Sequence, residues 1–129
     1  AVVRGRPLPP STKKGKHVTA DQRFAAYLAA YAAKDLEAVA AMFADGVSLR
    51  DWKISVRGKD AALAETQKNF DAARSIAIEI LATYASAKAI AGELRIVVDD
   101  SEVLYVVDVV SFDAQGRIEA IRAYRGRED

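Results

Sequence analysis

Cysteine is absent from this chain of 129 residues, which excludes disulfides, thiolate nucleophiles, Cys-type zinc sites and iron–sulfur clusters. Histidine occurs once, as His17 in the N-terminal stretch, so neither a Ser-His-Asp triad nor a His-based metal site has a centre. Any metal would have to rest on carboxylates alone, and Asp99-Asp100-Ser101-Glu102 reads better as a hydrated turn; no metal is expected. No glycine-rich loop follows a nucleotide fingerprint, so no cofactor is expected either. Long apolar runs are also missing: none approaches the roughly 20 residues that a bilayer crossing needs, and the basic N-terminus lacks the apolar core of a secretion signal. The expectation is a soluble cytoplasmic protein with no membrane partner.

What is present is enough apolar content, 51%, to bury one core but not two. The net charge of +1 hides an asymmetry. Arg4, Arg6, Lys13, Lys14 and Lys16 put five positive charges and no acid into residues 1–17, and the remaining 14 basic and 18 acidic side chains leave −4. With Pro7, Pro9, Pro10 and Gly15 interspersed, 1–17 reads as a basic disordered leader before a single domain at 18–129. The mildly acidic body offers no basic face and no groove-reading helix, so nucleic acid is not an expected partner.

Thr19-Ala-Asp-Gln22 fits a capping box, with a hydroxyl at the N-cap and an amide three residues on. Phe24, Tyr27, Leu28 and Tyr31 follow at helical spacing. A second helix over about 35–44 carries Leu36, Val39, Met42 and Phe43 on one stripe, with Asp45-Gly46 as its expected left-handed stop. Val47 and Leu49 alternate as a strand ending at Asp51, and a third helix over about 60–73 turns Leu63 and Phe70 inward. Everything later alternates or is β-branched: 75–84, 87–98, 102–112 and 117–125, joined by turns at Asp99-Asp100 and Asp113-Ala-Gln-Gly116. Segregated helices and a meander make an α+β fold whose curved antiparallel sheet buries one face on three helices and encloses a pocket.

A carboxylate inside an apolar strand must be protonated, paired or functional, because burial without compensation is costly. Asp108, within Val103-Leu-Tyr-Val-Val-Asp-Val-Val-Ser-Phe112, is that anomaly. Arg95 on a neighbouring strand is one conceivable partner, a dimer contact another. Glu93/Arg95 and Arg117/Glu119 have the spacing of ion pairs on an exposed or dimer-facing sheet surface.

Tyr27-Leu-Ala-Ala-Tyr-Ala-Ala-Lys-Asp-Leu36, Met42-Phe-Ala-Asp-Gly46, Leu49-Arg-Asp51, the Asp108 strand and Ile121-Arg-Ala-Tyr-Arg-Gly126 together resemble the bacterial ketosteroid isomerases. These belong to the wider superfamily of nuclear transport factor 2-like (NTF2-like) and polyketide-cyclase-like (SnoaL-like) domains. The resemblance covers roughly 24–127 and implies the cone-shaped fold of that superfamily. Carried over residue by residue, it places Tyr27 at a hydrogen-bond-donating tyrosine, Asp51 at the general base and Asp108 at a second, protonated oxyanion donor. Trp52, Phe70, Ile121, Ala123 and Arg125 fall on the expected substrate-binding wall. The implied activity is cofactor-independent double-bond isomerisation next to a carbonyl on a small, mostly apolar substrate.

The departures are specific. Trp52 stands where the family has proline after its base, and Thr66 stands where a tyrosine supports the oxyanion donor. Arg125 replaces an apolar wall residue and, if inward, favours a polar acceptor on the ligand. Two other readings stay open: a polyketide cyclase or epoxide hydrolase relative, and a non-catalytic small-molecule-binding or dimerisation module. A homodimer through the exposed sheet face is expected from the number of alternating apolar strands.

Overall fold

The computed structural model describes residues 18–128 and the backbone of Val2 and Val3. Residues 4–17, most of the basic N-terminal stretch, lie outside the described residues. In chain order the elements are β1 (Val2–Val3), α1 (Ala20–Ala32), α2 (Leu36–Met42), β2 (Phe43–Arg50), β3 (Ser55–Arg57), α3 (Lys59–Ala72), β4 (Ile76–Ala85), β5 (Ala89–Val98), β6 (Glu102–Phe112) and β7 (Ile118–Arg125). One sheet runs β1-β4-β5-β6-β7-β2-β3, antiparallel except where β2 lies parallel to β7. The three helices pack against it in the cone-shaped α+β arrangement.

Local chemistry starts α1. The Thr19 hydroxyl accepts the Gln22 N–H at 3.1 Å, while the Gln22 side-chain oxygen accepts the Thr19 N–H at 2.9 Å. This reciprocal cap satisfies two of the donors that a helix start leaves free. Its inward stripe, Phe24, Tyr27 and Leu28, joins Val39, Phe43, Phe70, Ile78, Ile90, Leu94, Val110 and Ile121 in the core. The hairpin between β5 and β6 turns on Asp99 and Asp100, both left-handed at φ 55° and 61°. Paired left-handed residues match the twist of the flanking strands. Gly116 at φ 80° serves the β6–β7 turn in the same way.

The second helix ends earlier than its pattern suggests. Phe43 is already extended at φ −83° and ψ 137°, and Gly46 is not left-handed. Phe43 pairs with Ile118 in the parallel β2–β7 ladder and is buried, so the burial that a helical stripe would supply comes from the sheet instead. Asp45-Gly46 sits within an irregular stretch of β2, where the register shifts between Phe43 and Ser48.

Register sorts the sheet residues by face, since directly opposed side chains share a side. Gly92, Asp108 and Ala123 form one row across β5, β6 and β7, between the row Ile90, Val110, Ile121 and the row Leu94, Val106, Arg125. This is the helix-facing side. Bulged register at Leu81 in β4 and at Glu119 in β7 adds local bending. On the opposite side lie Arg95, Tyr105, Val107, Val109 and Tyr124.

Candidate functional site

Asp108 occupies the middle of the inner face with small neighbours on both flanks. Gly92 is kept free of a side chain by α1: a Cβ there would run into the Phe24 ring. Ala123 leaves the other flank short. Asp108 is 9% exposed, and among the described residues no hydrogen bond ends on its carboxyl. Arg95, the conceivable partner, is on the far face of β5, because it stands an odd number of residues from Gly92 in an unbroken register. Burial first, and the charge of Asp51 second, push the Asp108 carboxyl up from 3.8 to about 7. Desolvation penalises the charged form, and a nearby like charge adds to it.

Asp51 has the opposite environment. It stands just past the end of β2, and its Oδ1 accepts the backbone N–H of Lys53 at 2.7 Å and of Ile54 at 2.8 Å. The Asp51 N–H in turn donates to the Ile54 carbonyl at 3.0 Å. This is the turn-aspartate geometry that favours Asp at strand ends. It fixes the carboxylate and leaves Oδ2 without a hydrogen bond among the described residues.

Tyr27 is 4% exposed and comes from the inward stripe of α1. Burial above all, then Tyr31 and then Asp108, hold its hydroxyl well above the ordinary range, so it stays a neutral donor. Tyr31 follows one turn later, its ring 6.0 Å from that of Tyr27 and edge-on to Phe70 at 5.0 Å. Burial raises its hydroxyl to about 12, against a lowering by the hydrogen bond from Asn69, and the charges of Asp108 and Asp51 raise it further. Tyr27, Tyr31 and Asp108 therefore lie within electrostatic reach of one another, and Asp51 lies within reach of Tyr31 and Asp108.

The proposed wall residues divide. Phe70 and Ile121 are buried, the first against Tyr31 and the second in the inner row next to Ala123. Trp52, next to Asp51, is 43% exposed and forms no buried wall. Arg125 shares the inner-face parity of Asp108 but lies at the strand's end and is exposed, so it does not reach a buried wall. Thr66 is buried, yet its hydroxyl donates to the Ala62 carbonyl at 2.9 Å. It is spent on its own helix and supports no donor. The contribution of α3 to the site comes instead from Asn69, whose Nδ2 donates to the Tyr31 hydroxyl at 2.9 Å. Sequence reasoning placed Tyr31 among core residues and passed over Asn69. The expected Glu93/Arg95 and Arg117/Glu119 pairs do not form either: Glu93 accepts the Tyr84 hydroxyl at 2.6 Å, and the salt bridge among the described residues is Lys68–Glu65.

A concavity of about 440 Å³ lies beside the start of α1, lined by Arg23, Lys88, Asp113 and Glu119 among others. It contains none of the four site residues. Among the described residues no helix is long and apolar enough to cross a membrane.

Comparison with known proteins places this geometry in context. No curated protein sequence matches the chain. Solved structures share its fold: a SnoaL-like protein of Burkholderia thailandensis at 22% identity, with a TM-score of 0.75 over 84% of this chain and 95% of that one; an LEH-like epoxide hydrolase of M. tuberculosis at 20% identity, with 0.71 over 83% and 82%; and a computationally designed 17-OHP binder at 22% identity, with 0.72 over 81% and 91%. The model of the SnoaL-like domain matches residues 24–121, a span that includes Tyr27, Asp51 and Asp108, and the chain therefore belongs to the SnoaL-like family.

Proposed function

We propose that this protein is a cofactor-independent isomerase that moves a proton between carbons next to a ketone. The observation that carries the reading is the contrast between Asp108, desolvated and raised to about 7, and Asp51, held at the site by two backbone N–H donors. A base and neutral donors are the parts that enolisation needs. In a β,γ-unsaturated ketone, Asp51 Oδ2 takes the α-proton and the electron pair moves onto the carbonyl oxygen. Tyr27 and protonated Asp108 donate to that oxyanion, Asp51 returns the proton at the γ-carbon, and the product is the conjugated enone. The same fold carries an epoxide hydrolase and a designed 17-OHP binder, so small organic ligands are within its range. The position of Arg95 on the outer face weighs against its use in epoxide opening.

The experiment follows enone absorbance as purified protein is mixed with small and steroidal β,γ-unsaturated ketones. Growth of the conjugated product above the buffer rate supports the reading; no growth with any of them moves preference to a non-catalytic binding module. The protein would act as a homodimer through the outer sheet face, where Tyr84 and Tyr124 are 61% and 56% exposed beside Val107 and Val109. Sedimentation showing only monomer at micromolar concentration would contradict that assembly.

A further inference from the structure

The two tyrosines of α1 differ in what occupies their hydroxyls. Tyr27 is enclosed beside Asp108 and raised by burial. Tyr31 is half-buried, and its oxygen already accepts a hydrogen bond from Asn69 Nδ2 at 2.9 Å. Asn69 is exposed and belongs to α3, so the bond ties α1 to α3. A phenol oxygen that accepts from an amide keeps its own proton to give away. Among the described residues no acceptor takes that proton. The ring packs edge-on with Phe70 on one side and tilted against Tyr27 on the other, contacts that hold it in place. The surrounding charges are the carboxyls of Asp108 and Asp51, both within reach of Tyr31.

We infer that Tyr31, polarised by Asn69, is a ligand-binding donor that reads a second acceptor oxygen. The ligand is then a ketone that carries an ether, hydroxyl or further carbonyl oxygen at the end away from the Tyr27–Asp108 contact. This rests on the ketone reading above and extends it to the substrate class. Neither Trp52 nor Arg125, both exposed, supplies an equivalent half-buried donor. An O–H left unmet by a bare hydrocarbon costs binding that an acceptor recovers, a net effect of order 1 kcal/mol, or about fivefold in affinity.

The test uses near-isosteric acetophenones bearing either methoxy or ethyl at the meta or para position, titrated into the full chain at mildly acidic pH and followed by NMR. At least one methoxy isomer should bind about fivefold more tightly than its ethyl counterpart. Tyr31→Phe should abolish that preference while the ethyl ketone still binds, and Asn69→Ala should reduce it. Tyr27→Phe should weaken both ketones alike. A thermal melt of Tyr31→Phe separates fold damage from ligand reading: a purely structural tie lowers the melting temperature and leaves the preference intact. Equal binding of both ketones to wild type, or a preference that survives Tyr31→Phe, overturns this inference and leaves the ketone reading standing. Failure of every ketone to bind overturns both.

Discussion

The end of β2 and the middle of β6 each present one aspartate to the same site, and the chain treats the two in opposite ways. At the end of β2 the backbone turns back on itself, and the N–H groups of Lys53 and Ile54 converge on Asp51. In the middle of β6 every backbone donor is committed to the ladders with β5 and β7, and the small flanks at Gly92 and Ala123 bring no polar group. A carboxyl at a frayed strand end finds donors for its charge; a carboxyl in a paired central strand loses water and gains nothing. Position in the sheet gives the two carboxyls opposite surroundings.

The largest break in that comparison is removal of the base. Asp51→Asn keeps the turn acceptor but cannot take a proton, so isomerisation should fall by up to about 10⁴ with the fold intact by circular dichroism. Asp108→Ala deletes one of the two proposed oxyanion donors and should slow the reaction by about 10²–10³ in kcat, the size seen for loss of a single such donor.

The third test follows stability with pH. The carboxyl of Asp108 is raised in the folded state from 3.8 to about 7, so the folded chain binds its proton more tightly than the unfolded chain does. Its favourable contribution is complete below pH 3.8 and is lost as pH climbs through about 7. Unfolding free energies should therefore fall over that interval by no more than about 4 kcal/mol, and Asp108→Asn should flatten the profile. The rate should show an alkaline decline near the same pH as the donor ionises.

Much of this contrast was legible because it is local. The capping box Thr19/Gln22 and the turn at Asp99-Asp100 need only neighbouring residues, and both form. Asp108 stood out because a charged type within an apolar run conflicts with its surroundings wherever the strand lies. The rest depended on contacts distant in the chain. Asp45-Gly46 carries a proper helix stop, yet the helix ends at Met42 because Phe43 finds Ile118 on the last strand. Asn69 meets Tyr31 across 38 residues, and nothing beside either residue announces the pair. Arg125 has the right parity, but alternation does not reveal that the strand runs out into solvent there.

A smaller test sharpens the packing side. Gly92→Ala would drive a methyl into the Phe24 ring, which is 1% exposed and has little room to yield. The expected loss is about 1–3 kcal/mol by chemical denaturation, with the pH profile of the third test unchanged in shape.

The central claim is that burial keeps a proton on Asp108 far above the range of a free aspartate. Carbon-13 NMR of the side-chain carboxyls, followed through a pH titration of the folded protein and assigned with Asp108→Asn, reads this directly. The Asp108 resonance should titrate with a midpoint near 7. A midpoint in the ordinary aspartate range, about 4, would contradict the account and leave the two aspartates with one role between them.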